Sequence, residues 1–548
     1  MEKLKPKLFS VMKTYTKGQF VKDVIAGIIV AIIALPLSIA LALASGVGPE
    51  EGIYTAIVAG FLISFLGGSR VQIAGPTAAF ATIVAGIVAT KGMDGLILAT
   101  VLAGIILVAM GFLRLGNLIK YIPYTITTGF TAGIAVTIAI GQVKDFLGLA
   151  YPEGTVTIET MEKLEAVIKN ISTINVQALA VGLVCLAILI IWPYVNKTVP
   201  GSLIAVIAGI LMVKLLGMKV NTIGDLYEIS NKLPSLRLPS FTWKEVGDIL
   251  PDAFTIAILA AIESLLSCVV SDSMINSRHR SNMELIAQGV GNIGSALFGG
   301  IPATGAIART AANIKNGGRT PIAGMVHSVT LVLILVILMP YAALIPMPCI
   351  AAILFMVAYN MSGWRSFLHL FKSSPRSDVV VLALSFVLTV VFDLVLAISA
   401  GILLGAILFM KRMSDVTEVK GWKYVDEEDD PDALSLRAVP SHTLVYEISG
   451  PMFFAAAHKI LRISLKEDTT CLILRMRSVN AMDATAMHSL AEFLEKCEKR
   501  GVRVILSHVN EQPKKVMDKA GLTQRIGKEN FCANIDEALE AAAKNFAP

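Results

Sequence analysis

Gly75-Pro76-Thr77-Ala78-Ala79 and Pro302-Ala303-Thr304-Gly305-Ala306 are two stretches of one kind, far apart in a very apolar chain. Each follows a Gly-Gly pair, at 67–68 and at 299–300, and each opens an apolar run too short to cross a bilayer as one helix. Interrupted hydrophobic segments at corresponding places in two halves of a chain are the best sequence indication of a midplane binding site in a secondary transporter. The pattern therefore predicts two broken membrane helices with a site between them.

Composition indicates that most of the chain lies in lipid. Of its 548 residues, 55% are hydrophobic and only 16% are charged, and the mean hydropathy is +0.70. An average soluble protein has about 25% charged residues. The net charge of +6 is too modest to indicate nucleic-acid binding. The six cysteines are scattered without CxxC or other metal-ligand spacing, so we predict no disulfide and no metal site.

Apolar runs of about 20 residues, the length that crosses the hydrocarbon layer, predict an α-helical polytopic membrane protein with about fourteen spans in a 7+7 arrangement. The transporter domain covers 23–412. Its first repeat, 23–216, has spans near 23–44, 52–67, 76–90, 95–113, 122–142, 175–193 and 200–216. Its second repeat, 252–412, has spans near 252–271, 283–299, 303–315, 320–342, 346–360, 377–393 and 395–411. Segments 76–90 and 303–315 are the short ones.

Basic residues orient these spans. With an even number of spans both ends lie on one side, and that side collects the basic residues of segment 1–22 and of the short loops, which are Lys3, Lys5, Lys7, Lys13, Lys17, Lys22, Arg70, Arg114, Lys120, Lys197, Arg278, Arg280, Arg319, Arg365, Arg376, Lys411 and Arg412. By the positive-inside rule it is the cytoplasm. Segment 1–22 lacks the cleavage site of a signal peptide, so we expect the first span to be retained.

The two short segments are then inverted relative to each other, because the first follows an inside loop and the second an outside loop. Gly and Pro release backbone groups from the helix, which is tolerated at membrane depth only where protein or a water-filled cavity satisfies them. Two helix N-termini would meet, each with free N–H groups and about half a positive charge. Such a site favours an anion. Ordinary Gly/Pro kinking is the alternative, but it does not account for the matched placement.

Glu263 is the outstanding charged residue inside a predicted span, since a charge at a helix centre costs at least about 2.5 kcal/mol on insertion scales. It lies in the first span of the second half, with Ser267 one turn further on the same face. Its carboxylate is suited to taking up a proton, to coordinating Na⁺, or to pairing with Arg309 in the second short helix. Arg309 likewise has two interpretations, as a cation that attracts the substrate or as the partner of Glu263.

Other residues in the spans have simpler explanations. His327 lies in an apolar run and is expected to be packed and hydrogen-bonded, with proton relay as the alternative. Asp23 and Asp393 lie at span ends, where a cap or a solvated turn is expected. Pro36 would kink the first span, so that the adjacent residues line a cavity; these residues are Leu37 and Ser38.

After Arg412 the chain becomes polar. We assign 413–435 as a solvated linker, because it contains an acidic run at 426–430 followed by Pro431. Residues 436–548 alternate strands with helices, which predicts a small α/β domain. The predicted elements are Thr443–Ile448, Ala455–Leu465, Cys471–Met476, Ala484–Lys499, Arg503–Ser507, Gln512–Ala520 and Ile535–Lys544.

This C-terminal domain has no P-loop, no GxGxxG and no nucleophile motif, so we predict neither enzymatic activity nor a cofactor. Asp483-Ala484-Thr485 follows a strand and opens a helix. The Thr485 hydroxyl would then lie at a positive helix end, where an added phosphate is stabilised. A plain Asp/Thr helix cap explains the same residues.

The motifs, taken in order, resemble the SulP family of anion transporters. In the first half they are Asp23 to Gly27, Leu35 to Ser38, Gly46-Val47, Gly52 to Tyr54, Gly67 to Ser69 and Gly75 to Ala78. In the second half they are Ala261 to Ser264, Gly289 to Asn292, Gly299 to Gly305 and Ala308 to Thr310. The C-terminal domain is similar to the STAS domain that these proteins carry. Segments 144–149 and 450–457 are most similar to the bacterial C4-dicarboxylate/sulfate transporter (DauA-like) branch.

The resemblance implies a core domain and a gate domain that work by elevator-type alternating access, in a homodimer. It implies a multi-pass protein of the bacterial inner membrane with both termini in the cytoplasm. The substrates it implies are small anions such as sulfate, bicarbonate, chloride or a C4-dicarboxylate. The STAS domain resembles anti-sigma-factor antagonists, whose phosphorylated serine matches Thr485, so a regulatory partner of this domain is an expectation.

The resemblance also implies roles for individual residues. Its motifs assign anion binding to Thr77, Ala78, Thr304, Gly305 and Ala306, with Arg309, Leu37 and Ser38 as further candidates. Many eukaryotic members have Gln where this chain has Leu37. Glu263, with Ser267 beside it, matches the acidic residue that serves coupling in bacterial members; Glu goes with protons and Asp with Na⁺, so we expect proton symport. Na⁺-coupled bicarbonate symport, anion exchange and an uncoupled anion channel are the alternatives.

Overall fold

The computed structural model describes residues 4–117, 123–152, 155, 157, 159–196, 199–238, 243–392, 394–421, 439–461 and 463–544. They fall into two compact units, the membrane unit within Met1–Ile402 and the second unit within Leu403–Pro548, and the boundary between them falls inside the last membrane helix, Leu394–Val416. Lys3, Lys120, Lys197, Asp393 and the acidic run 426–430, all used in the sequence predictions, lie outside the described residues.

The first half of the membrane unit contains eight helices among the described residues. They are α1 (Lys7–Val11), α2 (Lys17–Ala44), α3 (Pro49–Leu66), α4 (Ala78–Phe112), α5 (Tyr124–Leu147), α6 (Thr160–Lys169), α7 (Val176–Val195) and α8 (Gly201–Leu216). Strand β1 (Ala74–Gly75) lies directly before α4. Helix α4 contains two predicted spans, because Gly92 takes a left-handed conformation with φ of 69° and breaks the helix there.

The second half repeats this order. After the short α9 (Ile223–Leu226) come α10 (Trp243–Ile275), α11 (Ser281–Leu297), strand β2 (Thr304–Gly305), α12 (Ile307–Lys315), α13 (Ile322–Ala342), α14 (Met347–Ser362), α15 (Trp364–Ser373), α16 (Arg376–Val391) and α17 (Leu394–Val416). Among the described residues, eight helical stretches are long and apolar enough to cross a membrane by themselves, and one of these stretches is α14 taken together with α15. The fourteen predicted spans all correspond to helices or half-helices, and the fold is a 7+7 inverted repeat.

The repeats interlock through small residues. Helix α4 packs on α11, and the related pair α3 and α13 packs likewise. Gly104 and Gly289 meet where α4 packs on α11. A Cβ on Gly104 would lie 2.6 Å from the carbonyl oxygen of Gly289, and a Cβ on Gly289 would collide with the carbonyl oxygen of Gly104. Backbones approach this closely only where side chains are absent, which is the usual way membrane helices gain packing energy.

The second unit contains a five-stranded sheet among its described residues. Its strands are β3 (Glu418–Gly421), β4 (Thr443–Ser449), β5 (Cys471–Ser478), β6 (Arg503–Ser507) and β7 (Phe531–Cys532), adjacent in that order. Strand β3 is antiparallel to β4, and the remaining pairs are parallel. The helices are α18 (His458–Leu461), α19 (Ala484–Lys499), α20 (Glu511–Lys519), α21 (Leu522–Ile526) and α22 (Ile535–Ala543).

Both faces of this sheet are covered. Along β5, Leu472 and Leu474 join one apolar core, which includes Phe493 of α19, while Ile473 joins a second core with Leu539 of α22. This alternation follows from the two-residue period of a strand. The predicted α/β class is therefore confirmed.

Two sequence predictions were wrong in this region. The predicted linker 413–435 is ordered in its first part, because α17 continues through Val416 and β3 pairs with β4; its remainder from 422 onward lies outside the described residues. A helix that has left the apolar layer no longer needs apolar residues, so the polar character after Arg412 did not mark its end. The predicted helix 455–465 is only the single turn α18.

Candidate functional site

The two interrupted segments meet in a short antiparallel ladder. Ala74 pairs with Gly305 and Gly75 with Thr304. The backbone N–H of Ala306 donates to the carbonyl oxygen of Ile73 at 2.9 Å. Helix α4 begins three residues after this ladder and α12 begins two residues after it. The positive ends of two half-helices therefore lie side by side, as the sequence predicts.

Neither half-helix is capped by its own first side chain. Thr77 precedes α4 and Ala306 precedes α12, both in extended conformation, and neither side chain accepts a hydrogen bond from the helix that follows. Among the described residues, the N-cap side chains therefore leave the first-turn N–H groups uncapped, which is the property that lets a helix N-terminus bind an anion.

Thr77 is instead bonded to Glu263. The Thr77 hydroxyl donates to Glu263 Oε2 at 3.0 Å, across the boundary between the two repeats. The long helix α10 holds Glu263 at this position, opposite the residue that precedes the first half-helix. Two residues that the sequence singled out for different reasons, anion binding and coupling, are thus in direct contact.

Thr304 and Ser267 also lie around α10. The Thr304 hydroxyl is fully buried and donates to the Ala260 carbonyl oxygen at 3.1 Å, one turn before Glu263. Ser267 is 1% exposed, and its hydroxyl has no hydrogen-bond partner within the described part of the chain. Helix α10 thus contacts both half-helix entrances through Glu263 and Ala260.

Arg309 is the buried cation of the site. Its side chain is 1% exposed, and one Nη donates to the carbonyl oxygen of Pro76 at 3.1 Å. Its Nε and other Nη have no partner among the described residues. Gly75 allows this approach, because a Cβ there would lie 2.5 Å from the guanidinium. The second half-helix therefore extends a positive charge to the entrance of the first.

The alternative of a Glu263–Arg309 ion pair is wrong. Within the described ranges no salt bridge joins these two residues, and their hydrogen bonds go to Thr77 and to the Pro76 carbonyl group. Burial of a guanidinium without a carboxylate partner is costly. Arg309 is therefore a buried cation whose described hydrogen bond goes to a carbonyl oxygen rather than to a carboxylate.

The remaining predicted binding residues are buried or half-buried. Ala78 and Gly305 are buried and Ala306 is half-buried at the starts of the half-helices. Ser38 is fully buried in α2, where its carbonyl oxygen would collide with a Cβ on Gly52, and its hydroxyl has no partner in the described part of the structure. Leu37 is half-buried beside it. No hydrogen bond between described residues joins Leu37 or Ser38 to the half-helices.

His327 and Asp23 also differ from expectation. His327 is fully buried, but neither ring nitrogen has a hydrogen-bond partner within the described ranges. Asp23 is fully buried rather than solvated and accepts from the N–H of Arg319 at 2.8 Å and the hydroxyl of Thr320 at 2.6 Å. It also accepts from Tyr15, and burial together with the Asp23 carboxylate raises the pKa of Tyr15 to about 12.

Sequence reasoning missed the residues that hold the entrance of the first half-helix. Glu284 of α11 accepts from the backbone of Gly68 and Ser69, and Gln72 donates to its other oxygen. Thr310 of α12 accepts from the N–H of Ile73 at 3.0 Å. The sequence did contain a signal for Glu284, since this carboxylate also lies within a predicted span. It lies at the start of that span, however, where its charge stands out less than that of Glu263.

In the second unit, Thr485 is exposed as the second residue of α19. Asp483 caps this helix, because its Oδ1 accepts from the N–H of Ala486 at 2.8 Å and its Oδ2 from that of Phe454 at 2.8 Å. The helix-cap interpretation of this motif is therefore correct for Asp483, while the Thr485 hydroxyl remains at the surface.

Comparison with known sequences agrees with this architecture. Residues 20–385 match the Sulfate permease family and residues 434–538 match the STAS domain. The chain is 39% identical over 530 residues to the putative sulfate transporter YvdB of Bacillus subtilis, covering 96% of this chain and 98% of that protein. It is 30% identical over 545 residues to the bicarbonate transporter BicA of Picosynechococcus, covering 96% and 95%.

Solved structures show the same fold. The transmembrane domain of a cyanobacterial bicarbonate transporter, BicA, superposes with a TM-score of 0.64 at 31% identity, covering 70% of this chain and 98% of that one. The murine solute carrier 26 member A9, an anion transporter in the inward-facing state, superposes with a TM-score of 0.86 at 20% identity, covering 98% and 94%. The chain belongs to the sulfate permease (SulP) family of multi-pass membrane anion transporters and carries a C-terminal STAS domain.

Proposed function

We propose that this protein is a secondary active transporter that takes up a small oxyanion together with a proton. The observation that supports it best is Arg309, a buried guanidinium with two nitrogens unpartnered among the described residues, at the meeting point of two uncapped half-helices. An anion there would receive hydrogen bonds from the half-helix N-termini and Coulombic stabilisation from Arg309. The binding residues of this proposal are Thr77, Ala78, Thr304, Gly305, Ala306 and Arg309, with Leu37 and Ser38 in the adjoining span.

Glu263 supplies a physical reason for coupling. It accepts a hydrogen bond from Thr77, which directly precedes the first half-helix, so an ionised Glu263 places a negative charge beside the proposed anion. A proton on Glu263 removes that repulsion, and binding of the anion and of the proton then favour each other. Ser267 lies one turn further along α10, and its hydroxyl has no partner in the described part of the chain, so it is a candidate second ligand for the coupling ion.

The substrate class rests on the relatives. YvdB is named a putative sulfate transporter and BicA a bicarbonate transporter, and both align over nearly the whole of this chain. Sulfate and bicarbonate are small oxyanions, whose several acceptor oxygens suit two helix N-termini and a guanidinium fork. C4-dicarboxylates share this chemistry and remain in the proposed class.

An elevator-type movement is supported by how the helices group within the membrane unit. Helices α2, α3, α4, α10, α11, α12 and α13 pack on one another and contain the site, whereas α5, α7, α14 and α16 pack together without contributing a candidate binding residue. We propose that the first group is the core that moves against the second, the gate, in a homodimer in the bacterial inner membrane. Both termini would be cytoplasmic, following the basic loops.

Uptake into proteoliposomes tests the proposed function. Radiolabelled sulfate, bicarbonate and fumarate would be offered with an inward proton gradient, with an inward Na⁺ gradient and with neither. We expect one of them to accumulate above equilibrium only under the proton gradient. Equilibration without any gradient would instead indicate exchange or a channel, and electrical recording at fixed pH would distinguish these two.

Na⁺-coupled bicarbonate symport is the second candidate, and the alignment with BicA along nearly the whole chain favours it. It keeps the same site but replaces the proton on Glu263 by Na⁺, held by the carboxylate and neighbouring oxygens. Accumulation of bicarbonate under the Na⁺ gradient, unaffected by collapse of the proton gradient, would support this candidate over the first.

Regulation through the STAS domain is a separate proposal. Thr485 is exposed at the start of α19, where a phosphate would be stabilised by the helix N-terminus, although Asp483 beside it opposes added negative charge. Phosphorylation of Thr485 by a cell extract, followed by a change in uptake rate that Thr485→Ala abolishes, would support it. Unchanged uptake by the fully phosphorylated protein would contradict it.

A further inference from the structure

We infer that Glu284 and Gln72 are positioning residues that set the spacing of the two half-helices. This inference rests on the proposed anion site, but the described hydrogen bonds of both side chains go to groups outside the two half-helices. Together they form one buried bridge, from α11 through the loop before β1 to α10 and to Gly305. We name this Glu284–Gln72 pair the buttress.

Glu284 is the fixed end of the buttress. It is fully buried near the start of α11, and Oε2 accepts from the N–H groups of Gly68 at 2.8 Å and Ser69 at 3.1 Å. Oε1 accepts from the side-chain amides of Gln72 and Gln288, each at 2.9 Å. All four neighbours are donors, so the group is bonded as a carboxylate, and hydrogen bonds to an ionised acceptor are the strong ones.

Gln72 is the end that reaches the site. While its amide nitrogen donates to Glu284, its amide oxygen accepts from the Cys268 thiol at 2.7 Å. Cys268 lies on α10, the helix that carries Glu263. The amide also lies against the second half-helix entrance, since a Cβ on Gly305 would collide with the Gln72 nitrogen.

The buttress therefore connects three parts of the site, which are β1, Gly305 and α10, and no single helix or strand connects all three. Gln72 lies immediately before Ile73 and β1, so its position sets where the first half-helix begins, and its contacts fix that position against Gly305 and α10. Glu284 keeps Gln72 in one orientation, because an amide held at both its nitrogen and its oxygen cannot flip. The consequence is a precise distance between two helix ends, on which binding of a small anion depends strongly.

Kinetic variants test this role in the full-length protein. Glu284→Gln places an amide nitrogen against donors, and Gln72→Ala removes the bridge. The matched control is Asp23→Asn, which weakens another fully buried carboxylate that accepts backbone N–H groups, at the far end of α12 from Gly305. Initial rates of radiolabelled sulfate and bicarbonate uptake would be measured against concentration, with thermal stability recorded for each variant.

We expect Glu284→Gln and Gln72→Ala each to raise the KM about tenfold, the effect of losing roughly one strong hydrogen bond to a charged group, with the maximal rate per folded protein within about twofold. The double variant should match the single variants, because the two residues act as one unit. Asp23→Asn should lose comparable thermal stability and keep its KM. Additive effects, or a fall in folded protein with unchanged KM, would overturn the inference.

A second readout does not depend on transport. Cys268, like the other cysteines, is buried, and the buttress covers its thiol through Gln72. Its alkylation by N-ethylmaleimide, followed by mass spectrometry and compared with that of Cys185, should quicken in Glu284→Gln and Gln72→Ala but not in Asp23→Asn. Unchanged alkylation would overturn the inference. Should the wild type transport neither anion while alkylation changes as expected, the proposed function fails and the buttress stands.

Discussion

The loops that lead to the two half-helices occupy equivalent places in an inverted repeat, yet different chemical groups hold them. The first, residues 67–72, is anchored by the carboxylate of Glu284. The second, residues 299–303, is anchored by neutral groups: the Thr55 hydroxyl accepts from the N–H of Ile301 at 2.7 Å, and the Asn292 amide oxygen from that of Ala303 at 2.8 Å. A carboxylate anchor is thus present at the first loop, in addition to neutral groups such as Thr310 and Asn313, whereas the second loop is held by the neutral groups Thr55 and Asn292.

The charges of the site show the same asymmetry. Glu263 and Arg309 both belong to the second repeat, and each makes its hydrogen bond to the first, at Thr77 and at the Pro76 carbonyl group. The repeat architecture supplies two matching helix ends, while the second repeat supplies the titratable and cationic groups of the proposed site. In the proposed function, the repeated fold provides the anion site, and the residues that break the symmetry, Glu263 and Arg309, provide coupling and charge.

Removal of the Arg309 guanidinium should have the largest effect on anion uptake. We expect Arg309→Ala to lower uptake at least about a hundredfold, since roughly 3 kcal/mol of charged hydrogen bonding to the anion is lost. Arg309→Lys keeps the charge without the fork and should retain part of the activity. The measurement is initial uptake at several anion concentrations. Near-normal uptake by Arg309→Ala would make this guanidinium a structural group.

Added bulk at the half-helix entrances should have the next largest effect. Ala306→Leu and Ala78→Leu place a large side chain where the anion is proposed to bind, and we expect the KM to rise more than about tenfold, by lost contacts and overpacking. The control is Ala484→Leu, which adds the same bulk at an exposed position in the second unit. Wild-type affinity in both entrance variants would place the substrate elsewhere.

Loss of the Thr77 hydroxyl should have a smaller effect. Thr77→Val keeps the shape but removes the donor to Glu263, whereas Thr77→Ser keeps the donor. We expect a KM increase of about three- to tenfold for Val, the cost of roughly one neutral hydrogen bond, and rescue by Ser. Equal kinetics for the two variants would show that this hydroxyl plays no part in binding.

Loss of the Thr55 hydroxyl, which anchors the loop 299–303, should have the smallest effect on transport. Thr55→Val removes the hydroxyl that holds Ile301, but Ser295 still donates to the Ile301 carbonyl oxygen at 2.7 Å. We expect a stability loss of about 1 kcal/mol, with little change in KM. Thermal unfolding in detergent and uptake kinetics measure the two. A KM increase as large as that of Glu284→Gln would show that the anchors of the two loops matter equally for anion binding.

Local patterns were sufficient to predict the order of the membrane helices, the two short segments and three of the five described strands of the STAS domain, because apolar run length and Gly/Pro placement act over a few residues. The same holds for Glu263, whose isolation among apolar residues is visible in one segment. The two edge strands β3 and β7 were not predicted, because each is short and is defined by its pairing with a neighbouring strand. The sequence could not decide the hydrogen-bond partners of Glu263 and Arg309, since each partner lies in the first repeat and depends on how the two repeats pack.

Glu284 shows most clearly which contacts the sequence alone could not predict. Its four hydrogen-bond donors come from the Gly68–Ser69 turn, Gln72 and Gln288, and only Gln288 is near it in sequence. The Gly-Gly pair at 67–68 was recognised as a signal for the break, but its need for a carboxylate follows from the tertiary fold. Gly68 must lack a side chain because a Cβ would collide with the Arg280 carbonyl oxygen.

Uptake under an inward proton gradient, measured side by side for the wild type and Glu263→Gln, tests the proposed coupling most directly. The amide is of similar size to the carboxylate and cannot gain or lose a proton at neutral pH. We predict that the wild type accumulates the anion above equilibrium, whereas Glu263→Gln only equilibrates it, at a rate that no longer depends on the gradient. Undiminished, gradient-driven accumulation by Glu263→Gln would contradict a coupling role for this residue.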